Sequence, residues 1–439
     1  MIEKLRTIFQ VPELRRRILF TLSMFVVYRI GEHMPTPGVN AAALAGAFQS
    51  QANGLFGLYD MFVGGAFSRA TVFALGIMPY ISASIILQLL GAVVPYFEKL
   101  RKEGEEGQKK ITQWTRYGTV LISIVQSYAY SIFLVNLGAS QGLSVVPDPG
   151  FSFYFSTIVT QTAGTILVMW LGEKITEFGI GNGISLIIFV NILGGVPTRV
   201  MQAIEGFRAG NLGLIQSLTI LALMVAVIAA VIVMTQATRK IPVQYAKRMV
   251  GRKMYGGQST HIPLRVNTAG VIPIIFASSI MILPTTVAGF FPPDHPVAAV
   301  ATWFNPMGFL YNALYAIIIV FFTYFYTAVV LNPNDLAENM RKYGGFIPGI
   351  RPGRHTAQYI DKVLSRITLP GAFFLAAVAV LPDVIIATFH VPAVGFGGTS
   401  VLIVVGVALD TLQQIESHLL MRHYEGFVKR GRIRGRSRM

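Results

Sequence analysis

Cysteine is absent from the 439 residues, and charge is scarce, with Asp, Glu, Lys and Arg making up 13% of the chain. Without cysteine there is no disulfide, no thiolate metal ligand and no cysteine nucleophile. A soluble chain would carry about a quarter charged residues. Acids are the scarcer sign, 20 against 36 Lys and Arg, for a net charge of +16. Those nearest the apolar stretches, Asp60, Glu98, Glu173, Glu177, Asp383 and Asp410, fall at segment ends or in loops. An ion-coupled transporter needs a charge in mid-membrane to titrate or coordinate, and none of these is central. The histidines (His33, His261, His295, His355, His390, His418 and His423) also sit in loops or at segment ends. No Ser/His pair, paired Asp, HExxH or P-loop appears, so neither intramembrane hydrolysis nor nucleotide chemistry has residues to carry it. The chain is expected not to be an enzyme and to hold no cofactor or metal.

What is present is apolar: 53% of the residues are hydrophobic. Ten stretches approach or exceed the roughly 20 residues that cross a bilayer core: about 18–34, 71–97, 117–137, 151–171, 180–200, 212–235, 268–291, 308–331, 367–389 and 399–420. The chain therefore reads as an all-α polytopic membrane protein. Arg15–Arg17 precede the apolar run Ile18–Val27, but the small-residue stretch Ala41–Ala47 lies too far beyond it for a cleavage site, so the first helix reads as retained.

Basic residues sort by side. The N-terminus, 98–116, Lys174, 236–266, 341–366 and the tail from Arg422 hold 32 of the 36, and the other side has only Arg29, Arg69, Arg199 and Arg208. That asymmetry places both termini in the cytoplasm. Ten spans divide into five and five, 1–200 and 201–420, followed by a basic tail at 421–439. An odd number of spans per half inverts the second half relative to the first and puts the working site between them. Two cytoplasmic loops carry more than orientation requires. Thr238–Val266, within 236–266, has seven basic residues and no acid, and the loop at about 332–366 contains Gly344–Gly353, GGFIPGIRPG. Such loops suit an acidic partner: ribosomal RNA phosphates, lipid head groups or an acidic protein face.

Leu55–Arg69 (LFGLYDMFVGGAFSR) is apolar and aromatic but too short to cross, and Gly64–Gly65 separate it from the next span. A re-entrant segment fits; a surface loop with buried aromatics is the alternative. Pro79, Gly179–Gly183, Pro273 and Pro284 mark breaks in the spans. In Gly76–Leu90, Ile77 and Ile81 stack on one helix face, with Ser84 and Gln88 continuing the stripe. With apolar side chains, amides and hydroxyls as the only interior inventory, a pore closed by dewetting at an apolar waist fits. Its candidates are Ile77, Ile81, Ile184, Ile188, Ile275 and Ile403, although isoleucine in a membrane helix more often only packs.

The blocks GIMPYISAS at 76–84, GIGNGIS at 179–185, YAKR…GR at 245–252, QSTHIPLRVN at 258–267, AGVIPIIFASSI at 269–280, FIPGIRPG at 346–353 and FGGTSVLIVV at 396–405 resemble the SecY family of protein-translocation channels, in that family's order and over nearly the whole chain. The resemblance implies ten transmembrane helices in two inverted halves around a central pore. It places the six isoleucines in the pore ring. It makes the re-entrant segment, about 55–67, a plug built from Leu55, Phe56, Leu58, Tyr59, Met61, Phe62, Gly64, Gly65 and Phe67. It sets Ser82, Gln88, Gln126 and Asn267 in a lateral gate, and Arg252, Lys253 and Arg351 where a ribosome or the SecA motor docks. The implied partners are SecE and SecG in a heterotrimer, SecA, the ribosome, preprotein signal sequences and anionic lipid, in the bacterial cytoplasmic membrane. A secondary transporter of small solutes and a membrane-embedded enzyme are the competing classes.

Overall fold

The computed structural model describes residues 11–49, 55–142, 144–208, 213–245, 248–250, 253–255, 259–288, 308–389 and 398–430. In chain order the helices and strands are α1 (Pro12–Gly31), α2 (Ala41–Gln49), α3 (Leu55–Phe62), α4 (Met78–Val93), α5 (Pro95–Lys102), α6 (Glu105–Gln141), α7 (Phe151–Phe178), α8 (Gly183–Arg208) and α9 (Leu214–Gln236), then β1 (Thr238–Tyr245), β2 (Arg248–Val250), β3 (Lys253–Tyr255) and β4 (Ser259–Arg265). There follow α10 (Ile272–Ala288), α11 (Phe309–Val330), α12 (Pro333–Lys342), β5 (Gly345–Phe346), α13 (Arg354–Phe389) and α14 (Gly398–Arg430).

A helix stands at each of the ten places where an apolar stretch was expected. Among the described residues six are long and apolar enough to cross a membrane, or seven if α4 and α5, which meet at 96°, count as one bent span. The described apolar parts of α9 and α10, Leu221–Gln236 and Ile272–Ile282, are shorter, and α1 carries Arg15, Arg16, Arg17 and Arg29 within its 20 residues. The α4–α5 bend falls at Val94, which is extended (φ −97°, ψ 119°) because Pro95 follows it.

The second span begins later than its apolar run suggests. Residues 63–77 are turns rather than helix, and Pro79 lies in the first turn of α4 instead of breaking a span. Proline suits that position because its missing N–H would have no helical partner there. Pro273 likewise falls in the first turn of α10, leaving Pro284 as the interior proline.

The chain forms two compact units, 1–196 with 407–439, and 197–406; α8 and α14 each run from one into the other. In the first unit α6 packs against α4 and α7, and α1 against α7. The turn before α8 is tied on two sides. Thr21 of α1 accepts from the Ile180 N–H at 3.2 Å, and Gln414 of α14 accepts from the Gly181 N–H at 2.9 Å. Asn182 then caps α8, its side-chain oxygen accepting from the N–H groups of Ile184 and Ser185 at 3.1 and 3.3 Å. The glycine-rich GIGNG stretch is therefore a docked helix start.

In the second unit α11 packs against α10 and α13. The two basic loops are not plain loops. β1 and β4 pair antiparallel, Thr238 opposite Arg265 through Gln244 opposite Ser259, and β5 joins the other edge of β1. Period-2 alternation turns Ile241 and Val243 inward. They share a core with Leu264, Met340, Ile347, Ile360 and Leu364, so stretches 70 residues or more apart in the chain build one small basic subdomain.

Candidate functional site

The segment from α3 to α4 is held by side chains of α6 and α7. α3 is eight residues long and ends where Gly64 and Gly65 turn the chain at φ +73° and +84°, a region that side chains with a Cβ rarely adopt. The Gly65 N–H donates to the Asp60 carbonyl, and the Ser68 N–H donates to the Asp60 carboxylate, both at 2.8 Å. Burial pushes the Asp60 carboxyl above its usual range, against the opposing pull of the Ser68 N–H. Phe67 meets Tyr59 edge-on and Tyr130 and Phe133 at a tilt, at ring-centroid distances of 4.9, 4.7 and 5.6 Å.

Irregular backbone at membrane depth survives only where it is buried in protein or lines a water-filled cavity, and neighbouring side chains reach several carbonyls of 63–77. The Tyr130 hydroxyl donates to the Phe67 carbonyl at 2.6 Å and the Tyr59 hydroxyl to the Leu75 carbonyl at 3.1 Å. Gln161 of α7, fully buried, donates to the Thr71 carbonyl at 2.8 Å and to Thr36 Oγ1 at 3.0 Å. A bridge between Pro35 and Thr71 closes the segment on the end of α1.

Of the residues expected in a plug, Tyr59, Phe62 and Phe67 are buried and Met61, Gly64 and Gly65 half-buried. Leu55, Phe56 and Leu58 lie on α3, with side chains outside the described set. The isoleucines divide between the units. Ile77 precedes α4 and accepts from the Ile81 N–H at 3.1 Å, so the two sit one turn apart; Ile184 and Ile188 open α8. Ile275 is on α10 and Ile403 on α14. All are buried except Ile184, which is half-buried. Ser82 and Gln126 are buried on α4 and α6, and Gln88 donates to Ser84 at 2.9 Å. Asn267, in the second unit, donates to the Gly270 carbonyl at 3.1 Å. Among the described residues, the buried amide oxygens of Gln126 and Asn267 meet no hydrogen-bond partner. Arg351 is exposed, Lys253 lies on β3, and Arg252 is outside the described residues.

Three buried polar residues carry no motif signal: Glu32, Gln161 and Asn191. Their one trace in the sequence is a polar side chain within or against an apolar run, which the cost of burial makes informative.

A family model described as SecY matches residues 71–412. The chain is 45% identical over 432 residues to the protein translocase subunit SecY of Aquifex aeolicus, covering 98% of this chain and 100% of that one. It is 46% identical over 440 residues to that of Thermus thermophilus, covering 100% of both, and 46% over 429 residues to that of Escherichia coli K12, covering 97% and 96%. Among solved structures, "The structure of a protein conducting channel" superposes with a TM-score of 0.66 at 18% identity over 92% of each chain. Sec61 in the canine ribosome–channel complex superposes at 0.61 and 17%, again over 92% of each chain. The family match and the full-length identity show that the chain belongs to the SecY family.

Proposed function

We propose that this chain is the pore subunit of a protein-conducting channel. In this reading it passes unfolded secretory preproteins across the cytoplasmic membrane and releases apolar segments sideways into lipid. The observation that carries the reading is the segment 55–77 itself, whose helix α3 is too short to span and which is tied to α6 and α7 through the Phe67 and Thr71 carbonyls. A polar backbone cannot enter lipid unsatisfied, because each orphan group costs several kcal/mol. A channel answers this with aqueous vestibules and a narrow waist. Branched isoleucines at that waist part around any chain without offering it hydrogen bonds, so passage is not sequence-selective. Ile77, Ile81, Ile184, Ile188, Ile275 and Ile403 are the proposed ring, with residues 55–67 as the plug that stops leakage when idle. Ser82, Gln88, Gln126 and Asn267 belong to the proposed lateral gate. No covalent chemistry is asked of the chain.

The basic subdomain gives the docking reading a physical form. Arg351 lies between β5 and α13, Lys253 lies on β3, which pairs with β2, and a cationic surface of this kind suits ribosomal RNA or an acidic motor face. SecE, SecG and SecA complete the proposed assembly, in the inner membrane with both termini cytoplasmic.

Deleting residues 55–67 from the reconstituted complex should raise ion leak in the idle state while preprotein passage persists. Leak unchanged from that of the intact complex would sink the plug assignment.

A further inference from the structure

The turn that ends the plug is gripped by a polar cluster that the channel reading does not itself require. Asn191 of α8 gives away both amide hydrogens, one to the Tyr28 hydroxyl and one to the Phe62 carbonyl, each at 2.9 Å. Tyr28 lies on α1, and one turn further on is Glu32, whose Oε2 accepts from Arg29 at 2.6 Å. Arg29 also donates to the Val190 carbonyl, next to Asn191, at 2.6 Å. Glu32 and Asn191 are each 1% exposed. The Phe62 carbonyl fixes which end of the Asn191 amide is nitrogen, since only the NH₂ can donate to it.

Among the described residues, two oxygens of this cluster meet no hydrogen-bond partner within bonding geometry: Glu32 Oε1 and Asn191 Oδ1. Both converge on Gly64, where a Cβ would lie 2.7 Å from the first and 3.3 Å from the second. The plug turn is thus held by a hydrogen bond at Phe62 and meets two unpaired acceptors two residues later. Buried polar groups are rarely left unpaired, because each forfeits its hydration without recompense. A cluster built only for rigidity would be fully paired.

We propose that Tyr28, Glu32 and Asn191 form a latch on the plug, holding it through the Phe62 carbonyl and kept weak by the two unpaired oxygens facing Gly64, so that an arriving chain can displace it. The proposal rests on residues 55–67 being the plug. It gives two substitutions opposite signs. Asn191→Ala removes the bond to Phe62 and loosens the latch. Glu32→Gln keeps an oxygen for Arg29 and puts an N–H where Oε1 stood, beside the same Gly64 that Asn191 Oδ1 meets, and so should tighten it. If the cluster merely supported the fold, both changes would loosen the turn.

The test is amide hydrogen exchange over residues 59–68 in the intact, idle membrane complex, with ion leak recorded alongside. Asn191→Ala should speed exchange roughly fivefold and raise leak, and Glu32→Gln should slow exchange by about the same factor, the size of one hydrogen bond. Amides of α7 report on general damage. If Asn191→Ala disturbs them too, the sign of Glu32→Gln decides, because Gln nearly matches Glu in volume. Unchanged or faster exchange in Glu32→Gln overturns the latch. The complex lacking residues 55–67 separates the two layers: leak there with no effect of the latch variants removes the latch alone, whereas no leak there removes the plug reading beneath it.

Discussion

Replacing Ile184 and Ile403 together with glycine should raise ion leak through the idle complex severalfold. An apolar constriction excludes ions by dewetting, so its barrier depends on how completely branched side chains fill it. Ile184 is well placed for that work. Asn182 caps the helix that carries it, with bonds of 3.1 and 3.3 Å to the Ile184 and Ser185 N–H groups, and it is the one half-buried member of the six. Ile403 is fully buried on α14. Glycine also weakens a helix by about 1 kcal/mol relative to alanine, so the corresponding alanine pair is the cleaner version and should leak as well. Leucine at both positions keeps the volume and should stay close to the parent. Leak unchanged in the glycine and alanine pairs, from complexes that still assemble, would remove these residues from the waist.

Gly164→Ala should prevent the protein from accumulating in the membrane. Gly164 faces the segment between α3 and α4 so closely that a Cβ there would overlap the Val72 carbonyl oxygen and lie 3.0 Å from both its carbon and a Val72 methyl. One turn earlier, Gln161 holds the neighbouring Thr71 carbonyl at 2.8 Å, while the Val72 N–H is bound to the Met34 carbonyl at 2.9 Å. The backbone is pinned from two sides and cannot retreat without losing these bonds. Overpacking of a flexible side chain costs about 1–3 kcal/mol, and backbone held in this way should cost more than that range. Gly91 on α4 is the control, since nothing lies within 4 Å of its Cβ position. Gly91→Ala should leave protein levels unchanged or slightly raised. Levels of Gly164→Ala equal to those of Gly91→Ala, in a blot of membranes, would show that this contact yields.

Helix positions were legible because a bilayer demands long apolar runs, and a helix stands at every one of the ten places. The start of the second span was not. Residues 71–77 are as apolar as a helix would be, and hydropathy cannot distinguish buried turns from buried helix when Gln161, Tyr130 and Tyr59 satisfy the backbone from elsewhere. The GIGNG stretch and Gly64–Gly65 were visible as punctuation, and the structure gives them opposite uses, a capped helix start and a reversal at positive φ. In the basic loops, charge masked the alternation of Ile241 and Val243, and pairing across 70 residues or more leaves no local trace. Glu32 and Asn191 were hidden for a related reason. Each is a lone polar residue, and only the fold brings Asn191 of α8 against Tyr28 of α1 and the Phe62 carbonyl at the end of α3.

The absence of native cysteine makes the decisive measurement direct. A single cysteine at Ile184, and separately at Ile403, would be tested for disulfide formation with a cysteine in a secretory chain stalled midway through the assembled complex. A protein-conducting pore predicts cross-links that require the motor or the ribosome and that move along the secretory chain as the stall point moves. No cross-link at either position, from a complex that still binds its partners and holds the stalled chain, would place the path of the polypeptide elsewhere and contradict the account.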